Sequence, residues 1–180
     1  MEDTRNLIDK YKGLENEAII ADLDKSRLPL EIAIENLTHD FNIGTIIRNA
    51  NAWNVQKVHI IGRKKYNRRG AMVTDKYLHI YHHTHISDFL TTQTGRTLIA
   101  IENNTPDAKP LSTATFPPKT TLLFGSESDG ISQQLLSAAH ATYFIEQLGS
   151  TRSINVGCAS AVAIYAYCQA ARAFKKPSHS

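Results

Sequence analysis

The sequence predicts an α/β protein with a mostly parallel sheet flanked by helices. Five short apolar segments alternate with segments of helical spacing, and this alternation is typical of a parallel sheet. The five predicted strands are PLEIAIENL, KVHIIG, RTLIAIENN, TTLLFG and ATYFIE. The 180 residues, 42% of them hydrophobic, suit one domain with a short appendage and suffice for a sizeable core.

Helices are predicted before and between these strands. Apolar residues recur at nearly helical spacing over residues 4–23, which predicts one or two N-terminal helices. IGTIIRNANAW follows Asp40 and Asn42, which suit a helix N-cap. ISDFLTTQTG, ended by Gly95, and GISQQLLSAAH predict two short helices, and a long last helix follows the turn at Gly149.

The chain shows no sign of secretion, membrane insertion or disulfide bonding. Its first residues are polar, so no signal peptide is expected. Residues 154–171 are weakly charged, but polar residues interrupt them, which favours a buried helix over a membrane span. Cys158 and Cys168 lie in this stretch and are expected to be buried thiols. We expect a cytoplasmic protein with no membrane partner.

Four histidines cluster in HIYHHTH, within a segment that is ambiguous in secondary structure. A zinc site needs His or Cys ligands in a defined geometry, and neither a cysteine nor an HExxH pattern accompanies these residues. A strand with partly exposed histidines is the favoured interpretation, and no metal site is expected.

Basic residues are concentrated in one part of the chain. Residues 57–76 contain seven Lys or Arg residues against one acid, Asp75, and Tyr66 lies among them. Such a cluster suits a partner that carries phosphates. On charge alone, an ordinary solvated loop is the favoured explanation.

Three segments follow predicted strands and carry candidate functional residues: NIGTIIRNA, GSESDG and SINV. Open α/β sheets bind ligands at the carboxyl ends of their strands. Taken singly, these segments are explained by helix caps, a surface arginine and a tight turn. The chain has neither a GxGxxG fingerprint nor a GK[ST] segment, which argues against dinucleotide and P-loop phosphate binding.

Together and in this order, the three segments resemble the signatures of the SpoU (TrmH-like) family of RNA 2′-O-ribose methyltransferases, in the SPOUT superfamily. The resemblance covers about residues 30–171. It implies S-adenosyl-L-methionine as methyl donor, RNA as substrate, a deep C-terminal trefoil knot, and a homodimer with sites built by both subunits. General folding rules would not predict a knot.

The resemblance also implies roles for individual residues. Arg48 is the expected catalytic residue, with Asn42, Glu127 and Asn155 positioning it and the donor. An electrostatic role for Arg48 is favoured over a general base, because a guanidinium stays protonated. The expected donor-binding residues are Ile101, Gly125, Ile145, Leu148, Ser153, Asn155 and Val156. The expected RNA-binding residues are Arg63, Lys64, Lys65, Arg68, Arg69 and Arg152.

One position departs from the family pattern, because Glu146 stands where the family often has proline. The expected division is a helical extension over residues 1–28 and a methyltransferase domain over residues 29–176. A tRNA is favoured over an rRNA substrate, because the chain lacks the large N-terminal RNA-binding domain of many rRNA-directed relatives. The alternatives are a non-catalytic RNA-binding module with this fold and a nucleotide-binding α/β enzyme.

Overall fold

The fold is built on a seven-stranded sheet in which every strand runs parallel to its neighbours. The computed structural model describes residues 7–36, 42–63, 65–66, 69–126 and 129–174. The strands are β1 (Leu28–Asn36), β2 (Val55–Gly62), β3 (Ile80–His83), β4 (Thr97–Ile101), β5 (Lys109–Pro110), β6 (Thr120–Phe124) and β7 (Ala141–Phe144). Their spatial order is β3-β2-β1-β6-β4-β7-β5.

Helices flank this sheet. They are α1 (Asn16–Asp24), α2 (Asn42–Ala52), α3 (Ile86–Thr91), α4 (Gln133–Ala138) and α5 (Val156–Phe174). In α2 the buried residues Ile43, Ile46, Ile47 and Ala50 recur every three to four positions, so the helix presents one apolar face to the sheet. The predicted α/β class, with a parallel sheet flanked by helices, is confirmed.

The two faces of the sheet bury separate cores, because alternate strand residues point in opposite directions. Ile32 and Ile34 of β1 lie in the larger core, which contains buried residues of α2 and α5. Ala33 lies in the smaller core, which contains Phe89 of α3 and Leu135 of α4. All five residues of β6 are buried, as expected for a central strand covered on both faces.

The sheet has two more strands than the five predicted. The ambiguous histidine segment contains β3, an edge strand paired with β2, and its His82 is exposed while His83 is partly buried. The interpretation as a strand with partly exposed histidines is therefore confirmed. The other addition, β5, has two residues and pairs with β7 at the opposite edge, where Pro110 is tolerated.

The two cysteines differ in their surroundings. Cys168 is buried, as predicted, whereas Cys158 is exposed, so that prediction was wrong. Gly157, Ser160 and Ile164 form the buried stripe of α5, and Cys158 lies off this stripe in the first helical turn. In the described part of the chain, no helix is both long and apolar enough to cross a membrane.

A buried polar network lies on the α3 side of the sheet. Glu31 and His59 are each 2% exposed, and His59 Nε2 lies 2.9 Å from Glu31 Oε2. Arg96 Nε and Lys57 Nζ approach the same carboxylate at 3.3 and 3.4 Å. Burial opposes ionisation of Glu31, but the His59 hydrogen bond and these charges outweigh it and lower its pKa to about 2.

The N-terminal segment packs against the sheet domain through Arg27, whose side chain is 5% exposed. Its guanidinium donates to Tyr77 O at 2.9 Å and to Asn54 Oδ1 at 3.1 Å. Asn54 in turn donates to Leu23 O in α1 at 3.0 Å. These bonds fix the end of α1 where β1 begins.

Candidate functional site

A cavity of about 320 Å³ opens at the carboxyl ends of β4, β6 and β7 and reaches the start of α5. We call it the donor cavity. Six of the seven residues expected to bind the methyl donor line it: Ile101, Gly125, Ile145, Ser153, Asn155 and Val156. The structure thus brings together residues that lie up to 55 positions apart in the chain.

A tight turn after β6 closes one side of this cavity. Ser126 and Gly130 pair through two backbone hydrogen bonds of 3.1 and 3.0 Å. Gly130 has φ +69°, and a Cβ on Gly125 would lie 2.0 Å from Gly130 C. The two sides of this turn approach each other closely, and the turn therefore requires glycine at both positions. Glu127 lies between them, outside the described residues.

Glu102 joins this turn to the end of β4, and the sequence analysis missed it. Its Oε1 accepts the amides of Asn103 and Asn104 at 2.9 and 3.2 Å, and its Oε2 accepts the amide of Ile131 at 3.1 Å. Glu102 also lines the donor cavity. The available signal was its position at the carboxyl end of the predicted strand RTLIAIENN.

The start of α5 closes another side of the cavity. Asn155 Oδ1 accepts the amides of Gly157 and Cys158 at 2.9 and 3.3 Å, which caps the helix. Asn155 Nδ2 donates to Asn42 Oδ1 at 2.8 Å, so the first and third signature segments meet. Asn49 strengthens this junction by donating to Gly157 O at 2.8 Å and Ser160 Oγ at 2.9 Å.

Asn49 was also missed, although it lies seven residues after Asn42 and therefore on the same face of α2. Thr45 shares this face, and a Cβ on Gly157 would lie 2.8 Å from Thr45 Cγ2. The spacing of Asn42, Thr45 and Asn49 was the signal for a close contact with a second helix.

Arg48 does not face the donor cavity. Its side chain is exposed on α2, and it is not among the residues that line the cavity. It lies about 100° around the helix from Asn49, since consecutive residues are turned by that angle. Asn42 and Asn155 are thus brought together, whereas Arg48 remains at the surface beside them.

The loop from β7 to α5 carries three more of the sequence-predicted positions. Leu148 is fully exposed and does not line the cavity in the single chain. Arg152 is exposed, and its carbonyl accepts a hydrogen bond from Asn103 Nδ2. Glu146 points away from the cavity and accepts from Ser112, whose hydrogen bond lowers the pKa of the Glu146 carboxyl.

The basic segment after β2 is only partly described. Arg63 and Lys65 are exposed, while Tyr66 packs partly buried against the larger core. Lys64 and Arg68 lie outside the described residues. The backbone of Arg69 begins a 3-10 turn (Arg69–Ala71) that packs on α2.

The donor cavity is lined by apolar and polar residues in similar numbers. Its walls contain Ile101, Phe144, Ile145 and Val156, and its polar groups include Glu102 and Asp129. Such a lining suits an aromatic ligand with a few hydrogen-bonding groups or a positive charge. Among the described residues, no group of three or more His, Cys, Asp or Glu side chains is placed to hold a metal ion.

Comparisons with known proteins agree on one family. The model of the SpoU rRNA Methylase family matches residues 29–165. The tRNA (guanosine(18)-2′-O)-methyltransferase of Escherichia coli (strain K12) is 27% identical over 140 residues, which are 76% of this chain and 61% of that protein. The enzyme of the same name from Thermus thermophilus is 27% identical over 141 residues, 72% of its length.

Solved structures share the fold. The TrmH/SpoU tRNA modifying enzyme of A. aeolicus superposes with a TM-score of 0.76 at 20% identity, covering 92% of this chain and 88% of that one. The SpoU methyltransferase AviRb from Streptomyces viridochromogenes, in complex with AdoMet, gives a TM-score of 0.71 at 20% identity over 86% of this chain and 62% of that one.

Proposed function

The chain belongs to the SpoU rRNA Methylase family, and on that premise we propose that it is an S-adenosyl-L-methionine-dependent RNA methyltransferase acting on a ribose 2′-hydroxyl. One observation carries the proposal: residues of the second and third signature segments line one cavity, and Asn42 of the first is bonded to its wall. The chain spans 61% of the length of its Escherichia coli relative, so activity and substrate are proposals for this chain.

The donor cavity fits S-adenosyl-L-methionine in size and chemistry. Ile101, Ile145 and Val156 provide apolar surface for an adenine ring, and Gly125 lets the backbone come close. Glu102 and Asp129 add negative groups where a cationic donor would bind. When bound, the donor supplies a methyl group carried on a positively charged sulfur.

The protein's own residues then orient the acceptor. The bound donor would supply its methyl group to the ribose oxygen and leave as the thioether product, and the hydroxyl proton would pass to solvent. A guanidinium donates hydrogen bonds and has no acceptor, so Arg48 orients the RNA phosphate and the hydroxyl rather than accepting a proton. Asn42 and Asn155 hold α2 against α5 and so fix the position of the helix that carries Arg48.

We propose tRNA as the substrate, since the named relatives act on tRNA. RNA phosphates dominate the affinity of such proteins. Three exposed cations lie at the carboxyl edge of the sheet: Arg63 and Lys65 after β2, and Arg152 before α5. Lys64, Arg68 and Arg69 of the same basic segment extend this proposed RNA contact.

We further propose the knot and the homodimer that the family resemblance implies. Leu148, Ile154, Val162 and Tyr165 are exposed apolar residues on α5 and the loop before it, and a second subunit would cover them. A site completed by a partner also suits the position of Arg48 outside the cavity wall.

Residues 1–28 are proposed as an extension, residues 29–176 as the methyltransferase domain, and the cytoplasm as the location.

The test combines calorimetry with a transfer assay. The full chain should bind S-adenosyl-L-methionine, and it should transfer a labelled methyl group from it to unmodified tRNA. Donor binding without transfer to any cellular RNA would favour a non-catalytic module. Absence of donor binding would contradict the proposal that the protein depends on S-adenosyl-L-methionine.

A further inference from the structure

A second cavity, of about 370 Å³, lies at the same edge of the sheet as the donor cavity but beyond β1. We call it the β1–β2 cavity. It lies where β1 and β2 end and α3 begins, on the face of the sheet that α3 and α4 cover. Its polar lining comes from Glu35, Gly62, Thr84, His85, Ser87 and Gln134. None of these residues belongs to the signature segments.

Glu35 provides the carboxyl group that lines this cavity. The residue is 2% exposed, yet it lines the cavity. In the described part of the chain its carboxyl group makes one hydrogen bond: Oε2 accepts from the amide of Ser132 at 2.8 Å. A buried carboxyl group is stable only when its oxygens find donors, so Oε1 retains capacity for a donor supplied by a ligand.

A single stretch of backbone separates the two cavities. Ile131 donates its amide to Glu102, which lines the donor cavity, and the next residue, Ser132, donates its amide to Glu35. Consecutive residues thus bond a residue of each cavity, so the two cavities lie on either side of this backbone.

The β1–β2 cavity also adjoins the basic segment. Gly62, the last residue of β2, lines it, and its carbonyl accepts from His82 Nε2 at 2.7 Å. Arg63 follows directly and is exposed. A ligand that fills this cavity while carrying a phosphate would thus place the phosphate near a cation.

We propose that the β1–β2 cavity binds the base of an unpaired RNA nucleotide and that Glu35 makes it prefer guanine. This inference rests on the proposed function, since it assigns part of the RNA substrate to a site. Guanine presents two adjacent donors, N1–H and the N2 amino group, and each carboxylate oxygen has two lone pairs, so Glu35 can accept both donors while Oε2 keeps its bond from Ser132. Proteins that recognise RNA sequence read such edges on unpaired bases, and the exposed His85 offers a ring for stacking.

The test uses short RNA and the full chain without donor. Fluorescence anisotropy would measure binding of the labelled pentanucleotides UUGUU, UUAUU, UUCUU and UUUUU. The wild type should bind UUGUU most tightly. Glu35→Gln removes one accepting oxygen and should weaken UUGUU binding about tenfold, equivalent to about 1.4 kcal/mol, while leaving UUUUU binding nearly unchanged.

Two variants on α4 provide a matched comparison that does not depend on Glu35. Both side chains are exposed, but Gln134 lines the cavity, whereas its neighbour Gln133 does not and bonds Ser137 at 3.3 Å. Gln134→Ala should weaken UUGUU binding severalfold and Gln133→Ala should not. If Glu35→Gln fails to show a cooperative melting transition, the comparison of Gln134→Ala with Gln133→Ala tests the proposal instead.

The outcomes separate this inference from the proposed function. A wild type that methylates tRNA but binds UUGUU and UUUUU equally overturns the base site alone. Equal guanine preference in Glu35→Gln and the wild type overturns it too. A Glu35-dependent guanine preference in a protein that methylates no RNA supports the base site and contradicts the proposed activity.

Discussion

Asn155 Nδ2 donates a hydrogen bond to Asn42 Oδ1 over 2.8 Å, which ties the start of α5 to the start of α2 across 113 positions of the chain. The other side of the Asn155 amide caps α5, at Gly157 and Cys158. One side chain thus stabilises a helix end, forms part of the donor-cavity wall and holds the helix that carries Arg48.

Substitution of Asn155 separates these roles. Asn155→Ala removes the cap and should lower the free energy of unfolding by about 1 kcal/mol. Asn155→Asp keeps an oxygen for the two amides and suits the helix dipole, so its stability should stay near that of the wild type. Its bond to Asn42 is lost, so transfer activity should still fall. Urea unfolding and transfer assays measure the two effects, and an alanine variant of unchanged stability would contradict the capping role.

Gly125 should tolerate no side chain. A Cβ there would lie 2.0 and 2.1 Å from Gly130 C and O, so Gly125→Ala must open the turn that closes the donor cavity. We expect at least tenfold weaker donor binding by calorimetry. Gly149→Ala is the matched control, because a Cβ at Gly149 meets nothing within 4 Å. Equal donor binding by both variants would show that the turn does not form the site.

Glu102 should position the turn rather than the acceptor. Glu102→Ala leaves the amides of Asn103, Asn104 and Ile131 without their acceptor, and such a loss costs about 1–3 kcal/mol where the groups are buried. The KM for the donor should rise more than kcat falls. Glu102→Gln keeps one accepting oxygen and should restore part of the affinity. A variant with normal KM and reduced kcat would place Glu102 in the chemical step instead.

Arg48 should be needed for turnover and dispensable for donor binding. It lies outside the donor cavity, so Arg48→Ala should leave the donor Kd within about twofold, whereas loss of an electrostatic group typically lowers kcat about 10²–10³-fold. Arg48→Lys should recover little, because a lysine lacks the planar, bidentate guanidinium. Calorimetry and single-turnover assays measure the two effects. Weakened donor binding in Arg48→Ala would refute this division of labour.

Glu31 should govern stability in acid. Its pKa in the fold is about 2, below the ordinary value of 4.5, so its stabilisation is complete above about pH 4.5 and is lost as the pH falls toward 2. The contribution is roughly 3 kcal/mol, at about 1.4 kcal/mol per pKa unit. Urea unfolding of Glu31→Gln should show a flatter pH dependence over this window. Glu17→Gln, at an exposed position, should retain the steep acid loss.

The sequence predicted the larger elements well, because their patterns are local. The five predicted strands and α2 were recognisable from runs or spacing of apolar residues, as in Ile43, Ile46 and Ile47. The strand β5 has two residues, too few for a periodic pattern, and histidines made the segment of β3 ambiguous. Both strands pair with a longer strand, at opposite edges of the sheet.

The candidate site was predicted in part for the same reason. Residues inside the signature segments, such as Gly125 and Asn155, could be placed at strand ends. Glu102 and Glu35 have no motif, and their importance depends on where the segment Gly130–Ser132 passes in space. The exposure of Cys158 depends likewise on which face of α5 meets the sheet, a tertiary property that composition does not encode.

The most direct test of the central claim is the chemical identity of the methylated product. Unmodified tRNA is incubated with the full chain and S-adenosyl-L-methionine, digested to nucleosides and examined by mass spectrometry. The account predicts a nucleoside in which the added 14 mass units remain with the ribose fragment, and about 10²–10³-fold slower formation of it by Arg48→Ala. A methyl group found on the base, or no methylated nucleoside from the wild type, would contradict it.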